Sequence, residues 1–396
     1  MSLLQHIQQQ SKAIASEVVQ WRRHLHANPE LSYMEFNTAK FVSQTLRESG
    51  LTPTEGFAGT GVVALIEGKN PSRKVIALRA DMDALPILEA NAVDYKSRNP
   101  GVMHACGHDV HTTSLLGTAK ILCGARHLFE GSVKLLFQPG EEKNPGGATY
   151  MIRDGALENP RPAGIIGQHV MPILPVGKIG FREGMYMASS DEIYLNVVGK
   201  GGHAAAPELV IDPVLIASHI IVALQQVISR NASPRQPTVL SFGKIIGDGA
   251  TNIIPNEVSI AGTFRALNEQ WREDGLLKIK KMAIHIAEGM GGRCDVMISR
   301  GYPYLENNPE LTRRLRAAAE EYVGKENVVD LDVTLGSEDF AFYSHIIPAS
   351  FYRLGTRNEA KGITSYVHTP TFDIDEDALA IGPGLMAWMA VNELKN

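Results

Sequence analysis

The sequence predicts an α/β protein in two parts. One is a mainly parallel-sheet domain with covering helices, discontinuous in sequence and built from residues 1–186 and 301–396. The other is an inserted ferredoxin-like (βαββαβ) domain over residues 187–300. Three observations carry this. Short β-rich runs alternate with helical patterns through the first part, as in a sheet covered on both faces. The alternation then changes to strand, helix, strand, strand, helix, strand, the order of a split βαβ unit. Finally a helix, two short strands and a C-terminal helix resume the first pattern.

Taken in order, residues 12–48 read as two helices. "HANPELSY" separates them: Asn28-Pro29 breaks one apolar pattern, and "MEFNTAKFVSQTLRESG" begins another that Gly50 ends. "GVVALIEG" and "KVIALRADMDAL" are strands bounded by Gly and Pro. "DVHTTSLLGTAKILCGA" has helical period. "SVKLLFQPGEE" is a strand that stops at Pro139, and "AGIIGQHV" is a strand that stops at His169. In the inserted part "DEIYLNVVGKGG" is a strand, and "DPVLIASHIIVALQQVISR" is a helix with Asp212 as N-cap and Pro213 at N1. "PTVLSFGKIIGD" and "NEVSIAGTFRAL" are strands, "EQWREDGLLKIKKMAIHIAEGM" a helix and "RCDVMISRG" a strand. A helix over 308–323, strands near 329–334 and 349–354, and a helix over 376–395 complete the chain.

Composition narrows the function classes. A chain of 396 residues is long enough for two cores, and 44% hydrophobic with 20% charged residues is ordinary for a globular protein. The net charge is −5 with both signs scattered, so neither nucleic acid nor a membrane surface is an expected partner. No apolar run reaches the roughly 18 residues of a membrane span. The N-terminal stretch lacks the layout of a signal peptide. Three widely spaced cysteines make no disulfide framework, and a reducing cytoplasm is the expected compartment.

Against 13 His and 3 Cys in the whole chain, "GVMHACGHDVHTT" sets His104, Cys106, His108 and His111 inside eight positions. Other chemistry-bearing groups follow β-rich runs or sit in loops: Asp81 and Asp83 in "LRADMDALP", Glu141 and Glu142 in "FQPGEE", His169 in "IGQHVMP", and His368 in "YVHTP". In open parallel sheets, function collects beyond the C-terminal strand ends. Cys106 and His108 are two apart, so an extended segment points both to one side. Thiolate, imidazole and carboxylate are ligands of Zn²⁺ and other late divalent ions. Cys106, His108, Glu142, His169 and His368 make five candidate ligands, enough for two ions about 3.5–4 Å apart if Cys106 bridges. Adjacent extended residues face opposite ways, which leaves Glu141 to take a proton from water. Asp83 either orients a ligand histidine or makes an Asx turn. His104 and His111 either stand behind a ligand or simply open a helix. Cys123 and Cys294 lie in apolar patterns and read as packing, and His285 and His345 as surface or satisfied core residues.

Ten stretches running through nearly the whole chain together resemble the M20 metallopeptidase superfamily, amidohydrolase branch. They are "RRHLHANPELSYMEF", "LRADMDALPI", "MHACGHDVHTT", "FQPGEE", "GQHVMP", "GKGGHAAAP", "TNIIPNE", "GTFRAL", "GSEDFAFY" and "VHTPTFDIDEDAL". That branch holds hippurate hydrolases, N-acyl-amino-acid amidohydrolases and auxin-conjugate hydrolases. The resemblance implies two divalent ions (Zn, Mn, Co or Ni) on Cys106, His108, Glu142, His169 and His368. It implies Glu141 as general base and Asp83 as support behind the ligands. It also implies that the inserted domain is a lid through which the chain forms a homodimer or tetramer. His203 would then reach a partner's active site, with Asn252 and Arg265 binding substrate. The expected reaction is hydrolysis of the amide of an N-acyl amino acid. The alternatives are a dipeptidase or aminopeptidase of the same superfamily, a cysteine hydrolase using Cys106, and a non-enzymatic binding module. A zinc nucleobase deaminase would need a C-x-x-C pair that the chain lacks.

Overall fold

The computed structural model describes residues 1–396, which form two compact units. The first comprises Met1–Gly184, Glu306–Asp332 and Asp339–Asn396, and the second Met185–Leu305 with Val333–Glu338. The return segment 333–338 therefore joins the second unit, although the sequence pattern left it with the first.

The first unit is built on an eight-stranded sheet. Its order is Thr54–Phe57, Gly61–Glu67, Ser132–Gln138, Val75–Asp81, Gly164–Pro175, Ala349–Arg357, Ile179–Phe181, Val328–Asp330. The central four strands run parallel to their neighbours. Antiparallel pairs flank them, so the sheet is mixed with a parallel centre. Val75–Asp81 and Ser132–Gln138 are buried along their whole lengths, which is why they read as apolar runs without alternation. The strand expected to stop at His169 runs on to Pro175, because Gly355 and Arg357 keep pairing with Met171 and Pro175 across a bulge.

Helix Leu3–Ala27 opens with a reciprocal cap between Ser2 and Gln5 and ends just before Asn28-Pro29. Helix His108–Gly124 is buried almost throughout, between Leu3–Ala27 and the C-terminal helix Gly382–Lys395. Gly117 lets Pro383 approach it closely. The final helix is shorter than expected: a 3₁₀ turn, Glu376–Ala380, precedes it, and Pro383 lies in its first turn.

The second unit has a four-stranded antiparallel sheet in the order Val239–Ile246, Glu257–Arg265, Asp191–Val198, Arg293–Arg300. Helices Pro213–Gln226 and Glu269–Gly289 form one core with it. Ile193, Leu195 and Val197 alternate inward with Ile216, Ile220 and Leu224. Asp212 accepts the Val214 and Leu215 amides ahead of Pro213, the expected cap. This helix continues as a π-helical turn over Val227–Asn231. Contrary to the expectation from the sequence, Pro213–Asn231 is long and apolar enough, by length and composition, to cross a membrane; in this fold its inner face is buried in the core. A small ribbon pairs Gly202–His203 with Ile253–Ile254.

Candidate metal centre

The centre begins at a glycine. Gly107 has φ +86°, and a β-carbon there would come within 2.5 Å of Val170 Cγ2. Only glycine tolerates both the left-handed backbone and the contact. The turn it makes lets Cys106 end a loop while His108 opens the buried helix. Cys106 and His108 therefore converge through a turn and not, as the spacing suggested, through an extended segment.

His169 comes from the neighbouring strand. The register of Arg79 with Gly167 sets His169 level with Asp81 at the C-terminal end of Val75–Asp81. His368 comes from a loop and holds a strained backbone at φ +62°, fixed by its amide donating to Ala105 O at 2.7 Å. The loop that carries Cys106 thereby holds His368 as well.

Cys106 is the middle of the result. Its Sγ lies 3.4 Å from His169 Nε2 and 3.2 Å from His368 Nε2. Glu142 Oε1 is 3.3 Å from His368 Nε2 and 3.8 Å from His108 Nε2. Two triads of ligand atoms share that sulfur: Cys106, His108 and His169, and Cys106, Glu142 and His368. The five candidate ligands are thus brought together. His368 is about half exposed and the other four are largely buried.

Hydrogen bonds aim the rings. His169 Nδ1 donates to Val170 O at 2.7 Å, leaving the Nε2 lone pair to face Cys106. His108 Nδ1 is 3.3 Å from Asp83 Oδ1, so its Nε2 faces Glu142. His111 accepts the Val170 amide on Nε2 at 2.9 Å and donates from Nδ1 to Asp81 at 2.6 Å. It thus steadies the strand that carries His169. His104 lies near His26; neither ring nitrogen makes a hydrogen bond, and burial pushes it down to about 4, so it is neutral.

Glu141 and Glu142 sit in a turn, not in an extended strand end. Asp83 fixes that turn. Its Oδ1 accepts the Glu141 amide at 3.0 Å, and its Oδ2 accepts the Glu142 amide at 2.9 Å and the Ser32 hydroxyl at 2.6 Å. Glu142 then reaches the ligands. Glu141, largely buried, stays within reach of His108 and lies 3.4 Å from the Asp339 amide. Asp339 itself accepts Arg79, Gln138 and the Ala148 amide, and Arg79 also grips Asp81.

The field here is negative. Burial alone would lower His108, but Asp81, Asp83 and Glu142 hold it cationic up to about 10. Burial, then Glu142, Glu141 and Asp81, push the Cys106 thiol well above its ordinary range. Such a sulfur ionises only beside a cation. His108 Nε2 and Glu142 Oε1 are both buried and make no hydrogen bond. A thiol, three imidazoles and a carboxylate converging on one another, two of their buried inward-facing atoms without a hydrogen bond, fit divalent metal ions.

A buried network backs the centre. Arg22 pairs with Asp109 (2.8 Å) and Asp373 (2.8 Å), and His26 lies between Asp109 (2.8 Å) and Glu89 (3.3 Å). Helix Leu3–Ala27 is thereby tied to the residue after His108 and to the loop after His368. Despite burial, Arg22 and His26 hold Asp109 well below the usual carboxylate range.

The remaining expected residues lie in the second unit. His203 and Asn252 are neighbours on the small ribbon, with the Ala204 amide donating to Asn252 O at 3.1 Å. His203 Nδ1 accepts the Ala205 amide at 3.1 Å, which places its ring proton on Nε2. Arg265 ends strand Glu257–Arg265, donates to Ser337 Oγ at 2.9 Å and makes no ion pair. Sequence reasoning gave no role to Ser32, Glu35, Arg79, Gln138 or Asp339. Their only signal was membership of the matching stretches, which contain all five.

A family model described as Peptidase family M20/M25/M40 matches residues 77–391. An IAA-amino acid hydrolase ILR1-like 4 of Arabidopsis thaliana is 39% identical over 382 residues, covering 94% of this chain and 84% of its own. The N-acetyl-L-cysteine deacetylase of Bacillus subtilis is 39% identical over 366 residues, covering 92% and 85%. The crystal structure of the Bacillus subtilis YXEP protein, described as a dinuclear metal binding peptidase from the M20 family, superposes with TM-score 0.82 at 34% identity, covering 97% of this chain and 99% of that one.

Proposed function

The chain belongs to peptidase family M20/M25/M40, and from that premise we propose that it hydrolyses the amide bond of N-acyl amino acids, releasing a carboxylic acid and a free amino acid. The observation that carries the reading is the pair of ligand triads sharing Cys106, with Glu141 beside them. Cys106, His108 and His169 would hold one divalent ion, and Cys106, Glu142 and His368 the other. When bound, such a pair supplies Lewis acidity, acidifying a water and polarising the acyl carbonyl.

The chain's own groups do the rest. Glu141 accepts the proton of the attacking water as its oxygen bonds to the acyl carbon. It then delivers that proton to the nitrogen as the carbon–nitrogen bond breaks. Asp83 keeps Glu141 and Glu142 apart by holding both amides. His203, with its proton on Nε2, is suited to donate to the developing oxyanion. Arg265, without an acidic partner, is suited to the α-carboxylate, with Asn252 beside His203 on the substrate.

We read the second unit as the lid and as the surface of self-association. Leu215, Ser218, His219 and Val222 form an exposed stripe at helical spacing, and Ile245 and Ile246 are exposed on the edge strand Val239–Ile246. A homodimer through these elements would let His203 serve a partner's site. A cysteine hydrolase is the weaker reading, because the field around Cys106 opposes a free thiolate.

The test is chelation followed by reconstitution with Zn, Mn, Co or Ni, against a panel of N-acyl amino acids and dipeptides, reading free amine. Activity should vanish with metal removal and return with one or more of these ions, highest on N-acyl amino acids. Amine release that survives complete metal removal, or none on any substrate, would contradict the reading.

A further inference from the structure

Beneath the turn that carries Glu141 lies a second carboxylate, Glu35, which is fully buried. Its Oε1 accepts the Tyr33 amide at 2.9 Å and the Gly140 amide at 2.9 Å, and its Oε2 accepts the Thr60 hydroxyl at 2.7 Å. The next two amides, of Glu141 and Glu142, go to Asp83. Three successive N–H groups thus point inward, and two carboxylates divide them, as in an anion-binding nest.

Asp83 has no capacity for the third. It already meets the two amides, the Ser32 hydroxyl and the His108 ring. Gly140 is held at both ends, since its carbonyl accepts the Gly147 amide at 2.9 Å. Its φ is +65°, and the Tyr33 ring fills the place a β-carbon would take. The peptide that aims Glu141 is therefore set from below by Glu35 and from the side by Tyr33.

We propose that Glu35 is a positioning residue for the reaction: by gripping the Gly140 amide it fixes the direction from which Glu141 meets the attacking water. This rests on the functional reading above. The grip needs an acceptor oxygen more than it needs charge. Burial, and then the neighbouring Asp83, push Glu35 up to about 7, so a neutral amide suits the site. Glutamine keeps one oxygen for both amides and turns its NH₂ to Thr60 Oγ. Alanine removes every acceptor, and aspartate draws the carboxylate away from Gly140.

The experiment compares metal-loaded full-length wild type with Glu35→Gln, Glu35→Ala and Glu35→Asp on one N-acyl amino acid, with metal content and folded fraction measured on the same samples. Misplacement by about 1 Å can cost on the order of 100-fold in rate. Glu35→Gln should keep kcat within about threefold, while Glu35→Ala and Glu35→Asp lose at least about tenfold at unchanged KM and metal content, with the acid limb of the kcat–pH profile displaced. The proposal is overturned if the folded alanine or aspartate variant keeps wild-type kcat, if glutamine is as damaging as alanine, or if lost metal accounts for the whole effect in a folded variant. Should the alanine variant fail to fold, the aspartate variant decides alone. A wild type inactive on every amide removes the functional reading and Glu35's role together, whereas an active wild type with an equally active alanine variant removes only the latter.

Discussion

Glu141 and Glu142 show how neighbouring carboxylates are sent to different surroundings: Asp83 takes both amides, and the side chains part from there. Glu141→Gln keeps the shape and removes the base. It is expected to lower kcat by about 10²–10⁴-fold, the typical contribution of general acid–base catalysis, with metal content unchanged. Steady-state kinetics with metal analysis on the same sample checks this, and an unaltered rate would remove the base assignment. Glu35 carries a second expectation. Its folded value of about 7 lies above the ordinary 4.5, so its contribution to stability is full below about 4.5 and is lost as pH rises through about 7. In metal-free protein, Glu35→Gln should gain on wild type across that window, by up to about 3 kcal/mol. Urea midpoints at pH 5 and pH 8 read it; parallel behaviour of the two proteins would contradict it. The convergence of the five candidate ligands was legible because cysteine and histidine are scarce in the chain, two of the five lie in one short cluster, and the others follow strands or sit in a loop. Glu35 and Asp339 were not, since they are two among 43 acidic residues and their partners lie far off in sequence: Gly140 is 105 positions from Glu35.

At the level of elements, the centre depends on how helix His108–Gly124 is started and held. Gly107→Ala would force a β-carbon into Val170 at a left-handed φ. The expected outcome is a folded protein of reduced stability that no longer retains metal, read by thermal unfolding and metal analysis; a variant that binds metal like wild type would contradict the role given to this turn. Arg22 ties three carboxylate-bearing segments to the first helix. Arg22→Met leaves Asp109 buried beside His26 alone and should cost about 3–5 kcal/mol in urea unfolding. Apolar period and the breaks at Asn28-Pro29 and Pro139 made most helices and strands readable. The turns at 106–108 and 140–142 were not, because their geometry comes from contacts with Val170, Asp83 and Tyr33 on other segments. Nor did the pattern show that the strand through His169 continues, since its last residues are held by distant partners on Ala349–Arg357.

For the whole molecule, the two compact units divide the expected chemistry: all five candidate ligands and Glu141 in the first, His203, Asn252 and Arg265 in the second. The element order of the second unit was legible, because alternating and helical periods differ sharply there. The return of 333–338 to it was not, because so short a segment carries no period. Strand direction in the first sheet was only partly legible: a strand buried on both faces shows the same apolar run whether its neighbour is parallel or antiparallel. If the second unit mediates self-association, Val222→Lys, at the most exposed apolar position of helix Pro213–Gln226, should shift the protein to monomer in light scattering. Its activity should then fall with His203 deprived of a partner's site. An unchanged oligomer would place the interface elsewhere.

Anomalous diffraction from crystals of the manganese-loaded protein tests the central claim most directly. Two peaks about 3.5–4 Å apart are expected, one on each side of Cys106 Sγ, with His108 and His169 around one and Glu142 and His368 around the other. A single peak, or peaks that leave Cys106 uncoordinated, would contradict the account.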